Sequence, residues 1–125
     1  LDGLFTGSGT LKYPNGDEVS GNFKNGFASG RGTMYFSSND AIYTGEILTN
    51  RAHGFGTYEN TNGSYYKGTV LDNTPHGYGM KVSANGAVYY GYFSNGLECG
   101  YGTSFGKSGY IIFQGHWIDG NPIPK

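Results

Sequence analysis

The sequence predicts an all-β protein built from tandem β-hairpins, and three observations carry that prediction. The first is composition. Of 125 residues, 24 are Gly and 11 are Asn, while 12 Tyr, 8 Phe and 1 Trp far outweigh the 4 Val. A helical bundle would not carry so much Gly, which costs about 1 kcal/mol at each helix position. The second is a period. Gly-x-Gly recurs at Gly7, Gly30, Gly54, Gly77 and Gly100, in steps of 23, 24, 23 and 23 residues. The third is turn chemistry, because Asn-Gly and similar pairs fall between the extended stretches in each period.

The elements follow in order. After Gly7-Ser8-Gly9 comes an extended stretch from Thr10 to Tyr13, then a turn at Pro14-Asn15-Gly16. The returning strand carries Val19-x-Gly21-x-Phe23, and Asn25-Gly26 turns the chain into the next unit. The second unit repeats this with an Asn39-Asp40 turn and Tyr43-x-Gly45-x-Ile47. The third has Asn62-Gly63, Tyr66-x-Gly68-x-Val70 and a turn at Asn73-Thr74. The fourth has Asn85-Gly86, Tyr89-x-Gly91-x-Phe93 and Asn95-Gly96, and the fifth Ser108-Gly109, Phe113-x-Gly115-x-Trp117 and Asp119-Gly120. The second and fifth units each hold one extra residue, read as a β-bulge or a looser turn. Lys81 and Ser83 replace the large apolar residues of the first two units.

Strand alternation puts Phe23, Tyr43, Tyr66, Tyr89, Phe93, Phe113 and Trp117 on one face, as a ladder of rings with glycines leaving room between them. The opposite face is polar in the first unit but carries Tyr65, Val88, Tyr90, Tyr92 and Ile112 in the later ones. Exposed aromatic patches mark interaction surfaces. A second candidate surface is the row Phe55, Tyr78 and Tyr101, the middle residues of Gly-x-Gly, expected at hairpin ends.

Charge and chemistry exclude several functions. With 8 basic against 9 acidic residues and no basic run, the chain lacks the clustered cations that nucleic acid or anionic lipid would require. No nucleic-acid partner is expected, and membrane lipid is disfavoured. Cys99 is the only cysteine and fits a reducing compartment such as the cytoplasm. His53 and His76 share a repeat position with Ser29 and Cys99, which reads as a turn position rather than a metal pair. No catalytic constellation, metal site or cofactor motif is read from the sequence; the recurring Gly-x-Gly has no following helix and is no phosphate loop.

The in-register series, together with Lys67-Gly68, His53-Gly54-Phe55-Gly56 and His76-Gly77-Tyr78-Gly79, resembles the MORN (membrane occupation and recognition nexus) repeat family. The resemblance covers essentially residues 1–125 as one array, about five units with partial units at both ends. It implies an elongated, twisted, single-layer antiparallel sheet with a groove, and binding or scaffolding rather than catalysis. Val19, Ile47 and Val70 stand where the family usually has rings. The expected function is a non-enzymatic module binding a peptide, a helix or a second copy of itself. Two alternatives are an accessory domain of a larger enzyme, of the SET-domain methyltransferase or lipid kinase type, and a carbohydrate- or choline-binding repeat. The chain starts at Leu1, as a fragment or processed chain would, and Asn121-Pro122-Ile123-Pro124 reads as a cap or the start of a linker.

Overall fold

A computed structural model describes residues 6–124, so residues 1–5 and 125 of the expected array lie outside the described residues. The described residues form β1 (Gly7–Lys12), β2 (Glu18–Lys24), β3 (Phe27–Ala28), β4 (Gly30–Phe36), β5 (Ala41–Leu48) and β6 (Arg51–Glu59). They continue as β7 (Tyr65–Leu71), β8 (Thr74–Val82), β9 (Val88–Ser94), β10 (Leu97–Phe105), β11 (Ile111–Ile118) and β12 (Asn121–Ile123). All 12 strands belong to one open antiparallel sheet. Neighbours in sequence are neighbours in space, except that β3 and β4 both pair with β2, as one strand interrupted at Ser29.

The two ends of the sheet use different turns. At one end four of the five loops have three residues, with Gly16, Gly63, Gly86 and Gly109 at positive φ of 91–98°, and the loop at 37–40 has four. Where Asn precedes the glycine, at Asn15, Asn62 and Asn85, it keeps negative φ and works through its side chain instead. Asn15, Asn62 and Asn85 each accept the backbone N–H two residues on, at 2.9, 2.9 and 3.0 Å. The Asn-Gly pairs at this end are therefore not two-residue turns, and only their glycines take positive φ.

Two-residue turns with both residues at positive φ occupy the other end, at Asn25-Gly26, Thr49-Asn50, Asp72-Asn73, Asn95-Gly96 and Asp119-Gly120. This corrects the expected Asn73-Thr74 turn by one residue and adds Thr49-Asn50, which carries no Gly to mark it. These turns also join units. Asn50 donates its N–H to the Ala28 carbonyl and accepts the Ala28 N–H at its side chain; Asn73 grips Ala52 in the same way. Where the gripped residue is Pro75, which has no N–H to give, the turn residue is Gly96, which has no side chain to accept one, and only the N–H to carbonyl bond remains.

In β6, β8 and β10, Gly-x-Gly lies inside the strand rather than at a hairpin end. Between Ala52 and Gly56, β6 carries three residues where β5 carries one, and β8 repeats this bulge against β7. The first glycine supplies the bulge conformation, with φ +114 at Gly54 and +98 at Gly77. A bulge needs a residue free of the Cβ penalty there. Of the two extra residues, the second unit's is absorbed in a four-residue turn between Phe36 and Ala41 without disturbing register. The fifth unit's makes a bulge, with Phe105 opposite Ile111 but Ser104 opposite Phe113.

One face of the sheet carries the core. Val19, Phe23, Tyr43, Tyr66, Tyr89, Phe93 and Trp117 are buried there, and Phe113 packs half-buried against them. Ring contacts run from Tyr66 to Phe93, Tyr89, Trp117 and Phe113, edge to face, at centroid distances of 4.9–5.6 Å. Tyr43 meets Tyr58 at 4.9 Å. Such pairs contribute about 0.5–1.5 kcal/mol each beyond burial. Each of three tyrosines leans forward along its own strand. Tyr43, Tyr66 and Tyr89 donate their hydroxyls to the carbonyls of Glu46, Thr69 and Tyr92, at 2.7, 2.6 and 3.1 Å. Their rings then lie over the second glycine of the next Gly-x-Gly, at Gly56, Gly79 and Gly102.

The atypical fourth unit has a physical account. Lys81 stands between Tyr66 and Tyr89 in register, where the preceding unit has Tyr58. Its ammonium pairs with the buried Glu98 carboxylate at 2.5 Å. An ion pair thus replaces one rung of the ring ladder. At the end of the sheet, Pro122 faces Trp117 just as Pro75 faces Val70 inside the sheet, so Pro122 fits the repeat rather than capping it. Pro124 falls where Gly77 has φ +98, a conformation closed to proline, and it is Pro124 that interrupts the pattern.

Candidate functional site

The face opposite the ladder is uneven along the sheet. Its central row reads Thr10, Ser20, Thr33, Thr44 and Thr57 through the first strands, then Lys67, Met80, Tyr90, Thr103 and Gln114. The polar ladder is therefore interrupted at β8 and β9, by Met80 and Tyr90. Flanking rows change in the same way, with Tyr78 opposite Tyr92 on one side and Tyr65, Val82 and Val88 in line on the other.

Two shallow grooves form there and share Met80 and Tyr90. The larger, of about 640 Å³, lies among Phe55, Tyr78, Tyr90 and Tyr101, with Lys67 and Thr103 at its margin. The smaller, of about 300 Å³, lies among Tyr65, Val82, Val88 and Phe105, with Lys107 at its margin. The two surfaces that sequence separated, the Tyr-rich patch and the Gly-x-Gly row, are therefore one continuous trough. The separation failed because Phe55, Tyr78 and Tyr101 sit mid-strand, level with the patch, and not at the strand ends.

The predicted binding residues differ in what they expose. Tyr78 is 71% exposed, Tyr101 55%, Tyr90 53% and Phe55 47%. Tyr92 is half-buried beneath Tyr78, ring centroids 5.1 Å apart and edge to face, so it supports rather than presents. Tyr101 leans on His116 at 5.5 Å and Tyr90 on Phe105 at 6.1 Å. Tyr65 and Val88 are half-buried in the floor of the smaller groove. Ile112 does not join them. The fifth-unit bulge turns it towards a cleft with Tyr89, Glu98 and Trp117, and Ile111 takes its place opposite Phe105.

Sequence reasoning passed over Met80, Val82, Phe105 and Lys107, and placed Lys67 on this face without a binding role. A readable signal existed for Met80, because the residue after each Gly-x-Gly is Thr10, Thr33, Thr57, Met80 and Thr103. The one large apolar exception marks the middle of the trough.

The phenols of the ladder face are shielded. Burial pushes Tyr43, Tyr66 and Tyr89 up to about 12, and pushes Tyr58 up further still. No group of three or more His, Cys, Asp or Glu among the described residues is placed to hold a metal ion. His53 and His76 lie within β6 and β8, not in turns, and His76 packs its ring against Tyr92 at 6.2 Å. No helix among the described residues is long and apolar enough to cross a membrane.

Comparison with known proteins agrees with the repeat. A family model described as the MORN repeat matches residues 1–18, 20–41, 43–65, 66–88 and 89–109. The sheet continues beyond the last match through β11 and β12. A search of curated proteins finds no match. MORN repeats are non-catalytic modules that mediate protein or membrane interactions in general. The chain belongs to the MORN repeat family.

Proposed function

We propose that this array is a non-enzymatic interaction module that holds a protein segment, whether peptide, helix or second copy, in the aromatic trough opposite its ring ladder. The observation that supports the reading is the exposure of Phe55, Tyr78, Tyr90 and Tyr101 around one groove on a sheet whose core lies on the other face. Tyrosine there offers large contact area at low entropic cost and a hydroxyl for hydrogen bonds, as in protein recognition sites. The overall charge of -1 favours a protein over an anionic bilayer, which would need a cluster of cations.

The test is a random-peptide display selection on the immobilised array, run in parallel on a Tyr78→Ala/Tyr90→Ala variant. Both side chains are exposed, so the variant should keep its fold. The reading expects peptides to enrich on the parent and not on the variant. Equal enrichment on both would move the binding surface elsewhere, and no enrichment on the parent would end the peptide reading.

A further inference from the structure

The chemistry of the trough also restricts what enters it. Its two grooves are lined by apolar, aromatic, glycine and threonine residues, and the only charges among them are Lys67 and Lys107. Both lysines are exposed, and neither has a carboxylate partner among the ion pairs of the described residues. The nearby carboxylates of this face are Glu59, beside Tyr65 towards the polar half of the sheet, and Glu46, whose Oε1 accepts the Phe55 backbone N–H at 3.1 Å on the outer edge of the larger groove. The trough therefore has an apolar floor, with Lys67 in its central row on β7, Lys107 at the far corner beyond β10, and no carboxylate among its lining residues.

We infer that the partner segment is a short apolar run flanked by carboxylates, one meeting Lys67 and the other Lys107. This rests on the interaction reading above. The spacing follows from sheet geometry. Lys67 on β7 and Lys107 just after β10 are three strands apart across the sheet and four residues apart along it. At about 4.8 Å per strand and about 3.3 Å per residue, the diagonal is about 20 Å. An extended segment of about six residues spans it. The path crosses Met80 and Tyr90, which the two grooves share. Charges at the rim steer encounter and set register more than they add affinity, so the lysines select among apolar segments that the tyrosines hold.

The display selection tests this when run on the parent array and on a Lys67→Glu/Lys107→Glu variant. The inference expects the parent pool to carry Asp or Glu on both sides of an apolar run of about four to six residues. It expects the charge-reversed variant to enrich Lys or Arg at those flanks. A dye-labelled peptide taken from the parent pool should lose about tenfold or more in affinity for the reversed variant, and should also weaken as salt is raised. A parent pool with neutral or basic flanks overturns the inference, as does a pool unchanged by charge reversal. If such a pool is still lost in Tyr78→Ala/Tyr90→Ala, the interaction reading survives alone. A parent with no enriched pool overturns this inference and ends the peptide reading with it.

Discussion

The ring of Tyr66 occupies the space that a side chain on Gly79 would need. A Cβ built there would lie 2.5 Å from two ring carbons and 2.3 Å from the hydroxyl. The same relationship links Tyr43 to Gly56 and Tyr89 to Gly102. It joins the two sequence series of the repeat into one device, in which a tyrosine on one strand requires a glycine on a later one.

Gly79→Ala should therefore destabilise the array by about 1–3 kcal/mol, through overpacking. Gly79 has no positive φ, so the clash with Tyr66 is the main penalty. In a Tyr66→Val background, adding Gly79→Ala should cost less, because the three atoms nearest a Cβ at Gly79 all belong to the Tyr66 ring and hydroxyl. A double-mutant cycle by urea unfolding should give a coupling of about 1 kcal/mol or more. Additive costs would separate the two residues.

Thr49 is a β-branched residue at φ 49, where its counterparts are Asn25, Asp72, Asn95 and Asp119. The left-handed region costs such a residue about 1–2 kcal/mol. Thr49→Asn should raise stability by about 1 kcal/mol and Thr49→Gly by a similar amount. Differential scanning calorimetry would read this as a rise of a few degrees, and a fall in Tm would contradict the strain.

Lys81→Met leaves the Glu98 carboxylate buried without its cation. Lys81 is itself 41% exposed, so the loss is discounted to about 1–2 kcal/mol. Lys81→Tyr with Glu98→Ala together restores the rung seen at Tyr58 and removes the charge, and should recover most of that loss in the same unfolding assay. No recovery would mean that the pair fixes something the ring cannot.

Raising the pH should destabilise the ring ladder only late. Tyr43, Tyr66 and Tyr89 are pushed up to about 12 in the folded chain, against about 10 when unfolded. Their neutral forms favour the fold, so this stability is complete below pH 10 and is lost as pH rises through about 12. Phenolate absorbance and the loss of the β-sheet circular dichroism should share a late phase above about pH 11. Complete ionisation near pH 10 with the sheet intact would show that the rings are not shielded.

The repeat and its faces were legible because period and alternation are written directly into the chain. Tyr43, Gly45 and Ile47 fall at alternating positions, and the strand they form is buried and exposed in strict alternation. Turn phase was less legible. Thr49-Asn50 has no glycine to mark it, and Asp72-Asn73 precedes a threonine that looked like the second turn residue. The mid-strand place of Gly-x-Gly was hidden, because a bulge depends on the register of two strands and not on either alone. The Lys81–Glu98 pair, 17 residues apart, was hidden for the same reason. In the trough, Tyr78, Tyr90 and Tyr101 were visible as residues, but their union around Met80 required the register.

The central claim is that the two faces divide the work, rings over glycines holding the fold and the opposite tyrosines holding a partner. Its most direct test is chemical-shift mapping by NMR, with a display-enriched peptide titrated into the labelled array. Shifts should concentrate at Phe55, Lys67, Tyr78, Met80, Tyr90 and Tyr101 and leave Tyr43, Tyr66 and Phe93 unmoved. Shifts centred on the ladder face, among Tyr58, Tyr66 and Lys81, would contradict it.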